Sequence, residues 1–313
     1  MLWAILAVII GISLTVTSAD KFVDGAASLA SRFGMSHFLI GLTIVSIGTS
    51  APELVVSTVA AYEGTPGLAL GNALGSIITN IALVLGITAC ISPLVVPRRL
   101  VKCELPILVS VCLVIYGLAY RGEFDRIAGA SFLITLPIIL FLLAKNEPAT
   151  DKTLQVPKFS FLRSMTLTLG SLALLIGSSK ALVWGATEIA RYFGISELVI
   201  GLTIVAIGTS LPELAASIAS ALKKQTDMAL GTIIGSNFFN FLGVIGLASI
   251  ISPFAIEPDV FSRDLPWTAG LHVLLLVLAS FVLSGTLRRS YGILLLLLYV
   301  GYLSHIFATI VPQ

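Results

Sequence analysis

The sequence predicts an all-α polytopic membrane protein of ten transmembrane helices, built as two inverted five-helix repeats with helices 2, 3, 7 and 8 broken. Three observations predict it. First, of 313 residues 57% are hydrophobic and only 11% charged, and the mean hydropathy is +1.05. A soluble domain carries about 25% charged residues, and a larger core cannot absorb that deficit, because a folded surface must still be polar. Second, apolar stretches long enough to span a bilayer, about 20 residues each, alternate with short polar punctuation. Third, one polar motif recurs at a fixed offset.

Taken in order, the spans fall at approximately 2–31, 38–61, 67–91, 104–120, 127–144, 163–190, 198–222, 227–251, 265–285 and 290–311. The first is apolar from Met1 to Ala19 but lacks a basic leader, so it reads as a retained helix and not as a cleaved signal. Spans 1 and 6 exceed one bilayer crossing and carry charge in their second halves (Asp20, Lys21 and Asp24; Lys180 and Glu188). Helices of that length tilt or run on into the interface. The longest polar stretch, Lys145 to Lys158, lies in the expected cytoplasmic linker, 145–162, between a first half, 1–144, and a second, 163–313.

Twelve of the eighteen Lys and Arg fall in loops on one side, four fall on the other, and Lys21 and Lys180 lie inside helices. By the positive-inside rule both termini face outward, in the plasma membrane (the inner membrane if the source is bacterial). A net charge of +2 gives no electrostatic case for nucleic acid. Cys90, Cys103 and Cys112 have no metal-ligand spacing and read as small apolar filler. His37, His272 and His305 are scattered along the chain. Neither H-E-x-x-H nor G-x-S-x-G occurs, so an enzyme is not expected, and no cofactor is implied.

The repeat carries the function. Residues 41–54 read GLTIVSIGTSAPEL and residues 201–214 read GLTIVAIGTSLPEL, identical at twelve of fourteen positions at an offset of 160. The same offset aligns GNALGSIITN (71–80) with GTIIGSNFFN (231–240) and Ile91-Ser92-Pro93 with Ile251-Ser252-Pro253. Each half holds five spans, and five is odd, so the second half enters the membrane from the opposite side. That is the plan of many secondary transporters, with the site near the midplane.

Glu53 and Glu213 stand mid-span, where an acid costs about 2.5 to 3.5 kcal/mol and is functional by default. Pro52 and Pro212 lack an N–H, so the carbonyls of Gly48 and Gly208 lose their helical donors. A break is expected there, tolerable in lipid only where the freed backbone lines a polar cavity. Thr49 lies one turn before Glu53 on the same face, as Thr209 does before Glu213. Ser76 and Asn80 share a face of span 3, as Ser236 and Asn240 share one of span 8. Asn237 reads as local structure because its repeat mate is Ile77. Carboxylate, carbonyl, hydroxyl and amide oxygens are the donor set of a hard cation, Ca²⁺ or Na⁺. Glu53, Glu213, Thr49, Thr209, Asn80 and Asn240, with water, can supply the six to eight oxygens that Ca²⁺ takes. Two carboxylates balance one Ca²⁺, or at least two Na⁺, and an unneutralised pair is expensive to occlude. Obligatory exchange follows.

With G-T-S-x-P-E in both halves and the G-S-N-like segments behind it, the chain resembles the cation/Ca²⁺ exchanger superfamily over essentially its whole length, and the short prokaryotic Na⁺/Ca²⁺ exchangers in particular. The resemblance implies that Glu53 and Glu213 are shared by Ca²⁺ and Na⁺. It implies that Ser50, Ser210, Ser76 and Ser236, with the carbonyls of Ser46 and Ala206, line the Na⁺ sites. It implies sliding of helices 1 and 6 as the access switch. No oligomeric state is read from the sequence, and a monomer is expected to suffice for transport. Two departures stand out: Asn240 where relatives often carry Asp, and Lys180 where they often carry an acid. The expected function is a secondary antiporter of Ca²⁺ against Na⁺ by alternating access. An H⁺- or K⁺-dependent exchanger and, further off, a cation channel are the alternatives.

Overall fold

The computed structural model describes residues 1–32, 34–145, 159–194, 206–282 and 285–310. In chain order the helices are α1 (Leu2–Ser31), α2 (His37–Thr49), α3 (Ala51–Tyr62), α4 (Pro66–Ile91), α5 (Leu100–Ala119), α6 (Arg126–Lys145), α7 (Phe161–Tyr192), α8 (Ala206–Thr209), α9 (Leu211–Leu222), α10 (Thr226–Ile251), α11 (Val260–Phe281) and α12 (Arg289–Ala308). Among the described residues eight helices are long and apolar enough to cross a membrane, or nine if the bent pair α2–α3 counts as one span. The seventh expected span lies partly on 195–205, outside the described residues, as does most of the expected linker.

Local chemistry sets the helix ends. Ser36 accepts from the Leu39 N–H at the start of α2, Ser160 accepts from Arg163 at the start of α7, and Asp125 accepts from Ala128 at the start of α6. Each side chain satisfies a backbone donor that the first turn leaves open. Pro66 occupies the first turn of α4, where its missing N–H costs nothing. The chain bends by 45° between α2 and α3, at the place where Pro52 removes a donor.

Helices 3 and 8 correct the expectation of breaks. They run through as α4 and α10. Instead of breaking, each winds into a π turn, at Asn80–Val84 and at Phe239–Val244. Neither segment holds a proline, so every N–H can still find a carbonyl, one residue further back. Four two-residue strands also form among the described residues. Leu94–Val95 pairs antiparallel with Thr286–Leu287, and Glu123–Phe124 pairs with Phe254–Ala255. These clasp loops together and leave the chain helical.

The helices gather into two compact units, and each draws on both halves of the sequence. One comprises 1–53 and 140–236; the other comprises 54–139 and 237–313. In the first, α1 and α7 run in opposite directions along each other. A Cβ on Gly11 would meet Leu182, one on Gly25 would meet Thr168, and one on Gly185 would meet Ala4 and Val8. Hydroxyl pairs bridge the seam, Thr15 to Ser178 at 3.0 Å and Ser28 to Ser164 at 2.9 Å. Small residues allow such close approach in lipid, where dispersion and hydrogen bonds replace the hydrophobic effect as the driving force. In the same unit α2 crosses the start of α10 backbone to backbone, with Gly41 on Met228, Gly231 on Phe38 and Gly235 on Leu42.

In the second unit Gly86 of α4 meets Gly292 and Leu296 of α12, and Gly129 of α6 meets Gly246 of α10. The core there includes Phe124, Phe241, Ile77, Ile81 and Leu85, all fully buried.

Candidate functional site

Both motifs build the same local geometry. Ser50, between α2 and α3, has φ −82° and ψ 4°; Ser210, between α8 and α9, has φ −90° and ψ 7°. Each break leaves a glutamate in the first turn of the helix that follows. Glu53 and Glu213 are both 0% exposed. The open N–H groups and positive dipole end of a helix start stabilise a carboxylate there, which offsets part of the cost of burying it.

Within the first unit the two motifs meet. Ser50 Oγ donates to Glu213 Oε1 at 3.0 Å, and the Thr49 hydroxyl faces the same carboxylate. Among the described residues the other oxygen of Glu213, Oε2, has no hydrogen-bond partner, nor do the hydroxyls of Ser210 and Ser236. An acceptor-only oxygen buried without a donor is costly, and a cation relieves that cost. The Ser46 carbonyl accepts from the Ser50 N–H at 2.9 Å and from the Thr49 hydroxyl at 3.4 Å. The longer of these leaves one lone pair weakly held. The Ser46 hydroxyl is turned away, donating to Leu42 O at 2.6 Å. Thr209 is half-buried, and Ala206 opens α8.

In the second unit lie Ser76, Asn80 and Asn240, all buried. Asn80 heads its π turn and Asn240 sits inside the other. Such turns bulge the helix and occur often at functional sites. Among the described residues Asn80 Oδ1, the Ser76 hydroxyl and both side-chain atoms of Asn240 have no hydrogen-bond partner. Asn80 Nδ2, by contrast, donates to Asn237 Oδ1 at 3.1 Å. The isolated reading of Asn237 as local structure is thereby corrected: it holds a candidate ligand. Its repeat mate Ile77 hid that role, since the partner comes from a different span.

Sequence reasoning also passed over Ser57 and Ser217, buried one turn beyond each glutamate. Asn72 Nδ2 donates to Ser57 Oγ at 3.0 Å. The offset of 160 links the two serines and was the available signal. It also links Glu104 and Asp264, buried acids at the starts of α5 and α11 that pair with Arg99 at 2.7 Å and with Arg263 at 2.9 Å.

A groove of about 500 Å³ opens in the first unit beside Thr15, Asp20, Lys21, Leu182, Leu214 and Ile218. Its walls are mostly apolar, whereas a hard cation needs converging oxygens. The two glutamates are not part of its lining.

These features and the matches that follow define a multi-pass membrane protein of the cation/Ca²⁺ antiporter class. The chain belongs to the sodium/calcium exchanger protein family, which matches it over residues 3–145 and 163–308. It is 45% identical over 315 residues to the putative antiporter CaxA of Alkalimonas amylolytica, across 96% of this chain and 98% of that protein. It is 39% identical over 311 residues to the inner membrane protein YrbG of Escherichia coli, across 94% of each. A solved structure of the sodium-calcium exchanger NCX_Mj, soaked with zero Na⁺ and Ca²⁺, matches with a TM-score of 0.86 at 33% identity, over 97% of this chain and 99% of that one. The expected resemblance to the short prokaryotic exchangers is thus confirmed.

Proposed function

We propose that the protein exchanges Ca²⁺ for Na⁺ across the membrane by alternating access, with Glu53 and Glu213 as the carboxylates that both ions share. The observation that carries this reading is the buried contact between the motifs: a hydroxyl of the first repeat bound to the carboxylate of the second, with acceptor oxygen to spare. Thr49 and Thr209 add oxygens to the Ca²⁺ set. Ser50, Ser210, Ser76, Ser236 and the carbonyls of Ser46 and Ala206 serve Na⁺. Asn80 and Asn240 are assigned to Ca²⁺ on the sequence repeat alone.

Inverted repeats belong to the same reading. Its support is the reciprocal seam of α1 and α7, where Gly25 meets Thr168 and Gly185 meets Val8, each contact the other shifted by 160 residues. Both termini then face outward, as the basic loops require. Charge balance makes the exchange obligatory, since an empty carboxylate pair resists occlusion.

The test is Ca²⁺ uptake by purified protein in liposomes under an imposed Na⁺ gradient at clamped pH. Uptake that follows the Na⁺ gradient supports the proposal. Uptake that ignores Na⁺ and follows a proton or K⁺ gradient replaces the driving ion, and flux without any counter-ion makes the protein a channel.

A further inference from the structure

We infer that His272 is a positioning residue for Asn80, acting through Asn237, and that it fixes which end of the Asn80 amide is presented to a cation. The inference rests on Asn80 being a Ca²⁺ ligand, as proposed above.

One buried chain of hydrogen bonds runs through the second unit from His272 to Asn80. His272 lies on α11 and is 1% exposed. Its Nδ1 is 2.7 Å from the Thr268 carbonyl oxygen. A carbonyl oxygen can only accept, so Nδ1 carries the proton. The described contacts of the ring are that carbonyl, the Asn237 amide and the Phe241 ring, 5.3 Å away, with no carboxylate among them. A buried imidazole in such surroundings is neutral, and a neutral ring with a proton on Nδ1 has an acceptor at Nε2.

The acceptor dictates the rest. Asn237 must turn its NH₂ toward Nε2, which lies 3.5 Å from Nδ2. Asn237 Oδ1 then faces Asn80, so Asn80 must answer with its own NH₂, at 3.1 Å. One atom of the Asn80 side chain remains, the carbonyl oxygen Oδ1, and among the described residues it has no hydrogen-bond partner.

An asparagine can present oxygen or NH₂ by a half-turn of its amide, and only the oxygen attracts a cation. Three linked residues remove the wrong choice before the ion arrives. Among the described residues the second repeat shows no such device for its own amide. Asn240 has neither side-chain atom partnered among the described residues, and the positions matching Asn237 and His272 in the first half are Ile77 and Cys112. The relay therefore acts on one ligand of the pair.

The test compares Na⁺-driven Ca²⁺ uptake in liposomes by the parent, Asn80→Ala, Asn237→Leu, His272→Leu and His272→Gln, with monodispersity and thermal midpoint checked for each. Leucine fills about the volume of histidine but offers no acceptor. Glutamine restores one near the position of Nε2. The expected result is a KM for Ca²⁺ raised about tenfold in Asn80→Ala, Asn237→Leu and His272→Leu, with Vmax within about twofold of the parent, and a near-parental KM in His272→Gln. A merely structural histidine would lower Vmax or the folded yield and leave KM alone. Raised KM in Asn80→Ala with unchanged KM in His272→Leu overturns the relay, and so does a His272→Gln protein as impaired as His272→Leu. Unchanged KM in Asn80→Ala removes Asn80 from the ligand set, and the relay falls with it.

Discussion

Ser50 Oγ and Glu213 Oε1 lie 3.0 Å apart, a buried bond that joins the first copy of the motif to the second across 163 residues of chain. The hydroxyl that is expected to serve Na⁺ thus rests on the carboxylate that is expected to serve both ions. In Ser50→Ala the carboxylate loses a donor and Na⁺ loses an oxygen. A hydrogen bond to a charged group contributes about 1.5 to 3 kcal/mol. The Na⁺ concentration for half-maximal exchange should rise about tenfold, and the KM for Ca²⁺ should rise less. Equal effects on both ions would take Ser50 out of the Na⁺ sites.

Glu53→Gln and Glu213→Gln each keep the size of the side chain and remove its charge. One remaining carboxylate cannot balance a divalent ion, so Na⁺-driven Ca²⁺ uptake should vanish in either variant. The glutamine relieves a buried charge, so the proteins should purify as well as the parent. Full uptake by either one would end the two-glutamate reading.

Gly235 sits where α10 crosses α2, and a Cβ there would press on Leu42 O and on Ser46 Oγ. Backbone cannot step aside as a side-chain tip can. Gly235→Val should lower the thermal midpoint in detergent through overpacking of about 1 to 3 kcal/mol. Gly117→Val, with nothing near its Cβ among the described residues, is the control and should shift it far less.

Lys223, at the C-terminal end of α9, reaches Asp20 at 2.8 Å and Asp24 at 2.7 Å on α1. All three side chains are partly exposed, so the ties are weak singly, about 0 to 1 kcal/mol. Lys223→Met should reduce the thermal midpoint modestly at low ionic strength. The difference should shrink at high salt, where such pairs are screened. A loss independent of salt would assign the effect to packing.

Most of the helices were legible because their signals are local. Apolar length placed eight of them within a few residues. The pairing of Gly48 with Pro52 marked the bend at Ser50, since a missing N–H acts on its own turn. Helices 3 and 8 were misread as broken because α and π winding share an apolar pattern, and packing decides between them. The site divides the same way. Glu53 and Glu213 were conspicuous as acids in apolar spans. Asn237 and His272 were not, because their roles come from contacts between residues 35 to 157 positions apart. A repeat also points the eye to matched residues, and the counterparts of these two are Ile77 and Cys112.

The seam between α1 and α7 has a mechanical consequence. Two rods fastened at several points along their length, as these are from Gly11 to Ser28, resist bending more than either does alone. Push one end and the pair shifts as a plank, carrying the load lengthwise with little lost to flexing.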